Sequence, residues 1–308
     1  MSTTPSTTST TTPDPHTLTV GGLPVHVYGL SSLGSPSSSS SGSAASQPRS
    51  LAVLFLLHGR LSSASHPLIR TFAETLLARP SSLPATAGQA QEKDLLVVAF
   101  DQRNHGHRLV DAERNLGWFE GSKRRLRERA ERGVAEGERD NESHAVDMVA
   151  MQTGTARDVS SLIDFLPSAL FPHDERRVTD WYVAGISLGG HATWLATAQD
   201  PRISLSIPII ASPSSLSLLT HRATHLPAPH GPLAVPSPQF PQSLVELLER
   251  IDPDRQPMSV WRGKRVCVLS GKEDGLVNWV HGGSEKFVER LEKEGRLEKL
   301  EVWVQPGT

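Results

Sequence analysis

Short apolar runs separated by polar stretches dominate the chain from residue 51 onward, at 51–57, 95–100, 178–184, 203–210, 266–269 and 300–304. Runs of this length fit strands covered on both faces, as in a parallel sheet. Between them, 67–78, 156–166, 188–198 and 284–297 place apolar residues at helical spacing. Strands alternating with helices predict right-handed crossovers and an α/β fold, a mostly parallel sheet with helices on both faces. Ahead of it, 18–20 and 25–28 alternate apolar and polar residues around Gly21-Gly22, the pattern of an antiparallel hairpin at a sheet edge.

The pattern fails in four places. Residues 1–16 and 31–48 are Ser/Thr/Pro-rich and bury too little apolar surface to offset the entropy of ordering them, so both are expected to be disordered. Residues 110–144 are densely and mixedly charged, with too few apolar positions for a core of their own. Residues 212–257 are rich in Pro, Ser and His but carry Leu244, Leu247 and Leu248 at helical spacing, which predicts a small cap. The expected organisation is a tail at 1–16 and one domain at 17–308, with a low-complexity loop at 31–48, a charged insertion at 110–144 and the cap at 212–257.

Composition narrows the function classes. The chain has 308 residues, 37% of them apolar and 21% charged, enough for a sizeable core. A formal net charge of -2 gives no long-range field to gather nucleic acid or an anionic membrane. The one cysteine, Cys267, lies in an apolar run and is expected to be a buried strand residue; it has no partner for an intrachain disulfide. No stretch approaches the roughly 20 apolar residues that span a bilayer, and the first residues lack the apolar core of a secretory signal, so a cytoplasmic protein is expected.

Candidate chemistry begins at 181–191, where an apolar strand runs into Gly185-Ile186-Ser187-Leu188-Gly189 and then into a helical pattern. A serine on a sharp strand-to-helix turn exposes its hydroxyl, and the flanking glycines spare the backbone a collision. A phosphate-binding helix start is the competing reading, but neither Gly-Lys-Ser/Thr nor Gly-x-Gly-x-x-Gly is present. Upstream, the run 51–57 ends in His58-Gly59-Arg60-Leu61. Acyl transfer builds negative charge on a carbonyl oxygen, which two backbone N–H groups can stabilise. Leu188 would donate one and the loop after Gly59 the other, from Arg60 or alternatively Leu61. His58 reads as a buried residue orienting that loop.

These features resemble the α/β-hydrolase superfamily over roughly 51–304, and within it the esterases and prolyl-oligopeptidase-like serine hydrolases. The resemblance implies no metal or other cofactor. It also identifies Asp101-Gln-Arg-Asn-His-Gly106 as similar to a loop that borders the site without taking part in catalysis. His105 and His107 could form a His-x-His metal pair, but no clustered carboxylate or cysteine completes one. The triad acid falls at Asp274, in the acidic turn after 266–269, with Glu273 as a solvated neighbour. The triad histidine is expected after the last strand, and the 308 residues end at Pro306-Gly307-Thr308 just short of that place. His281 and His144 are the candidate substitute bases; His191, on the helix after the elbow, should point away from the reacting face. The expectation is hydrolysis of an ester, thioester or peptide bond through acyl-Ser187, impaired for want of that histidine, with a small-molecule acyl or peptide substrate and neither nucleic acid nor membrane as partner. The alternative is a non-catalytic ligand-binding protein on the same fold.

Overall fold

The computed structural model describes residues 14–33, 50–78, 93–135 and 137–306. β1 (His16–Val20) and β2 (Leu23–Tyr28) form the expected hairpin, turning through Gly21 and Gly22, both at positive φ. β2 pairs antiparallel with β4 (Asp94–Phe100), which lies parallel to β3 (Ser50–Leu57). The sheet continues in parallel through β5 (Arg177–Ile186), β6 (Ile203–Ile209), β7 (Arg265–Gly271) and β8 (Lys299–Gln305), in the order β1-β2-β4-β3-β5-β6-β7-β8.

Alternation along β3 shows how the two faces are filled. Leu51, Val53, Phe55 and Leu57 pack with Val159, Leu162 and Leu166 of α3 (His144–Leu170) and Leu195 of α4 (Leu188–Gln199). Leu54 and Leu56 turn to the other face and meet Ile69 and Ala73 of α1 (Pro67–Leu77). Trp194 of α4 packs edge-on against Trp261 and against Phe287 of α7 (Ser284–Glu294), with Val266 and Val268 of β7 in the same cluster.

Several expectations need correction. β8 is an edge strand rather than a covered one, and Trp303 is 66% exposed. Cys267 is half-buried rather than buried. His144 opens α3 instead of sitting in a loop, and α3 starts twelve positions before the expected 156 (156 − 144 = 12). Order begins inside the expected tail, because Asp14 pairs with Arg70 at 2.8 Å and His16 starts β1; residues 1–13 of that tail lie outside the described residues. Of the loop at 31–48, Ser31 and Ser32 belong to a short 3-10 turn, and 34–48 lie outside the described residues.

The charged insertion is also structured. α2 (Lys123–Glu131) is pinned where Arg125 and Arg129 reach Asp140 at 2.7 and 3.0 Å, the Asp140 side chain being fully buried. Burial opposes the charge on Asp140, yet the Glu120 N–H and the two guanidinium groups outweigh it and hold the carboxyl below its ordinary range. The second insertion forms α5 (Ser215–Thr224) and α6 (Gln242–Ile251), and its Phe240, Leu244 and Leu248 share one apolar cluster with Trp118 of the first. Among the described residues no helix is long and apolar enough to cross a membrane.

Candidate active site

Ser187 sits between β5 and α4 at φ 52° and ψ −110°, a left-handed conformation that ordinary residues avoid. It is held from both sides: its N–H donates to the Ile209 carbonyl (2.8 Å), and its own carbonyl accepts the His191 N–H (2.9 Å). The flanking glycines are sterically required. A Cβ at Gly185 would run into the Gly189 carbonyl and approach Thr193 Oγ1 to 2.8 Å, and one at Gly189 would lie 2.7 Å from the His58 carbonyl.

The loop after β3 runs directly beside the serine. The Gly189 N–H donates to the His58 carbonyl at 3.1 Å, and a Cβ on Gly59 would stand 3.9 Å from Ser187 Cβ. The Leu188 N–H, at the first position of α4, lacks an intrahelical acceptor. Leu61 spends its N–H on His105 Nε2 (3.1 Å), whereas the Arg60 N–H has no partner among the described residues. His58 has both ring nitrogens committed, Nδ1 to the Gly59 carbonyl (2.8 Å) and Nε2 to the Gln102 N–H (3.1 Å). Burial holds this imidazole neutral, its pKa lowered to about 4. His105 and His107 are tied to different partners, His105 Nδ1 to the Arg103 carbonyl and His107 Nδ1 to Asp101, whose carboxylate also accepts the Ala64 and His107 N–H groups.

Asp274 follows β7 at the same carboxyl edge of the sheet as Ser187, with β6 between the two strands. Two interstrand spacings put these loops roughly 10 Å apart. Asp274 Oδ1 accepts the Leu276 and Val277 N–H groups at 2.8 and 2.6 Å, which folds the loop around the carboxylate. A cavity of about 860 Å³ opens here, lined by Ile210, Gly271, Asp274, Trp303 and Pro306 among others. The end of β8 lies against the same loop, the Lys272 N–H donating to the Gln305 carbonyl at 2.9 Å.

Among the described residues no histidine hydrogen-bonds to Ser187 or Asp274. His281 leads into α7 and stacks on His221 of α5 at 4.3 Å. His144 is buried edge-on to Trp118 with Nδ1 on the Leu116 carbonyl (2.8 Å), and burial lowers its pKa to about 3. His191 is buried with Nδ1 3.0 Å from the Ser212 carbonyl, and burial lowers its pKa to about 4.

Two charged residues of the cleft had no motif to reveal them. Glu120 pairs with the Arg60 guanidinium, which also donates to the Asn115 carbonyl (2.8 Å), tethering the Gly59–Leu61 turn to the first insertion. Arg222 of α5 donates through Nε (2.7 Å) and Nη2 to the Leu276 carbonyl, tethering the Asp274 loop to the second. Neither stands in a local pattern, because each acts on a residue far away in sequence.

No family model matches the chain, and no curated protein sequence matches it. Solved structures do. TT1662 from Thermus thermophilus is similar over 96% of this chain and 89% of its own, at 19% identity and a TM-score of 0.53. Est1E from Butyrivibrio proteoclasticus, solved with ferulic acid bound, aligns with 95% of this chain and 89% of its own at 15% identity and a TM-score of 0.50. An acylaminoacyl peptidase in complex with a chloromethyl ketone aligns with 96% of this chain but 36% of its own, at 10% identity and a TM-score of 0.50. With a mostly parallel eight-stranded sheet among the described residues, an antiparallel hairpin at its edge, helices on both faces and these structural neighbours, the chain has the α/β-hydrolase fold.

Proposed function

We propose that the chain is a serine hydrolase of ester, thioester or peptide bonds working through an acyl-Ser187 intermediate. The carrying observation is the strained turn at Ser187 with the Gly59 backbone alongside it. In this reading Ser187 Oγ attacks the acyl carbon, and the Leu188 and Arg60 N–H groups receive the charge that develops on the carbonyl oxygen. An imidazole oriented by Asp274 takes the serine proton and returns it to the leaving group; water then cleaves the acyl-enzyme by the same relay. The likeness to Est1E and to an acylaminoacyl peptidase supports the reaction class.

The imidazole is the open element. Gln305, at the end of β8, lies beside the Asp274 loop, its carbonyl accepting the Lys272 N–H. Because no described imidazole bonds to Ser187 or Asp274, turnover of p-nitrophenyl acetate should be slow, and a C-terminal Gly-His extension should raise it by on the order of 10³-fold. A fluorophosphonate probe, read by mass spectrometry, should attach at Ser187 of the Gly-His-extended chain and nowhere in its Ser187→Ala variant. Labelling that persists in Ser187→Ala, or full turnover by the 308 residues that His281→Ala or His144→Ala abolishes, would overturn the assignment of nucleophile or of base respectively. A non-catalytic ligand-binding protein is the second reading, favoured by one observation: no described imidazole bonds to Ser187 or Asp274.

A further inference from the structure

We propose that Arg222 is a specificity-determining residue that binds a carboxylate carried by the substrate, so that the preferred ester or amide bears a free acid group; this rests on the acyl-serine reading above. The guanidinium is positioned without being neutralised. Both of its hydrogen bonds go to one neutral acceptor, the Leu276 carbonyl, and Nη1 has no partner among the described residues. By contrast, Arg60 on the turn after β3 has Glu120, and Arg125 and Arg129 of the first insertion share Asp140.

Its surroundings are those of the candidate cleft. Arg222 lies within electrostatic reach of Arg60 on the turn after β3, Asp274 after β7, Glu120 of the first insertion, His144 of α3 and His191 of α4. Protein encloses the guanidinium although part of its surface still meets solvent. This enclosure first, and then the charge of Arg60, pulls its pKa down to about 10. A cation held where its charge is disfavoured gains from an anionic ligand. Glu120 is committed to Arg60, and in the acyl-serine reading Asp274 faces an imidazole, which leaves the charge of Arg222 for the substrate. A single guanidinium with Asp274 in range suits a monoanionic carboxylate; a phosphate dianion would turn a second negative charge toward Asp274. The planar fork of arginine matches a carboxylate edge.

Calorimetric binding to the Ser187→Ala chain tests this without hydrolysis, using monomethyl glutarate, neutral dimethyl glutarate and inorganic phosphate. Monomethyl glutarate should bind on the order of 10-fold to 100-fold more tightly than the diester, the usual contribution of a charge-assisted hydrogen bond. Arg222→Met should erase that preference while weakening the diester far less than the monoester, and Arg222→Lys should keep part of it. Equal binding of the two esters, a preference that survives Arg222→Met, parallel loss of both ligands in that variant, or tighter binding of phosphate would each overturn the proposal. Fluorophosphonate labelling of Ser187 in the Gly-His-extended chain keeps the two readings apart. Labelling without a carboxylate preference removes the role of Arg222 alone, whereas a preference without labelling removes the acyl-serine reading and leaves Arg222 as an anion site.

Discussion

Ser187 holds a backbone conformation that costs a non-glycine residue on the order of 1–3 kcal/mol, and it persists because the Ile209 carbonyl and the His191 N–H fix it from both sides. The glycines around it were legible in the sequence for a local reason. Contact between β5, α4 and the turn after β3 leaves no room for a side chain, and that demand falls on positions two residues either side of the serine. Gly189→Ala should therefore cost more than about 2 kcal/mol, since its methyl would stand against the His58 carbonyl. Thermal unfolding should show a lowered midpoint and fluorophosphonate should no longer label Ser187; an unchanged midpoint would mean that the elbow and the His58 turn can part. His58 was legible as a positioning residue because it ends a strand, and its two backbone bonds fit that role. Arg222 was not legible, because its meaning comes from Leu276, fifty-four positions away.

Among the elements, the strands of the sheet leave a clear trace in the sequence and the first half of α3 does not. Parallel strands inside the sheet are buried on both faces over most of their length, so they show as short, mostly apolar runs; β8, at the edge, is exposed. The first half of α3 instead buries Gln152, Thr153, Gly154 and Thr155, which look like a loop until their partners are known. Gln152 Oε1 accepts from Ser215 Oγ at 3.1 Å, and Gly154 leaves the space that the Arg103 side chain occupies. The start of α5 makes a testable case of another buried polar group. Asp252 Oδ2 accepts the Leu216 N–H at 2.8 Å while Oδ1 is buried without a partner. Burial, with a smaller push from Asp254 and against the Leu216 bond, raises its pKa to about 7. A carboxyl whose folded pKa lies above its unfolded value contributes stability that is complete below the unfolded value and is lost as pH rises through the folded one. Asp252→Asn, which keeps an acceptor for the Leu216 N–H, should thus raise the unfolding temperature at pH 8.5 and change it little at pH 5. The same shift at both pH values would show that ionisation of Asp252 is not what limits stability there.

Across the whole molecule, the two insertions form one cover over the carboxyl edge of the sheet. Trp118 of the first packs with Phe240, Leu244 and Leu248 of the second and with Ala145 and Val149 of α3. Phe119 lies 4.4 Å from the His230 ring, and Arg139 donates to the His230 carbonyl at 3.2 Å. The cover is moored to the candidate site at two points, Arg60 to Glu120 and Arg222 to Leu276. Removing the shared anchor should loosen both halves together. Trp118→Ala should cost about 3–5 kcal/mol locally and speed hydrogen exchange in α2 and α6 alike, leaving β3 and β5 protected. Faster exchange confined to the neighbourhood of residue 118 would mean that the insertions fold independently.

The layered sheet, the sharp turn at Ser187, the turn at His58-Gly59 and the acidic loop at Asp274 are all written in local sequence. Apolar runs, helical spacing and steric demands on glycine are set by near neighbours in the chain, so they can be read along it. Long-range packing alone makes the charged insertion a folded half of a cap, engages the Leu61 N–H with His105 while that of Arg60 has no partner among the described residues, and brings Arg222 to the Asp274 loop without an ion pair among those residues. Those outcomes depend on which distant groups meet. A buried ion pair such as Arg129 with Asp140, or an arginine without one, leaves no periodic trace in the sequence, because its energy is fixed by the partners that folding brings within a few ångströms.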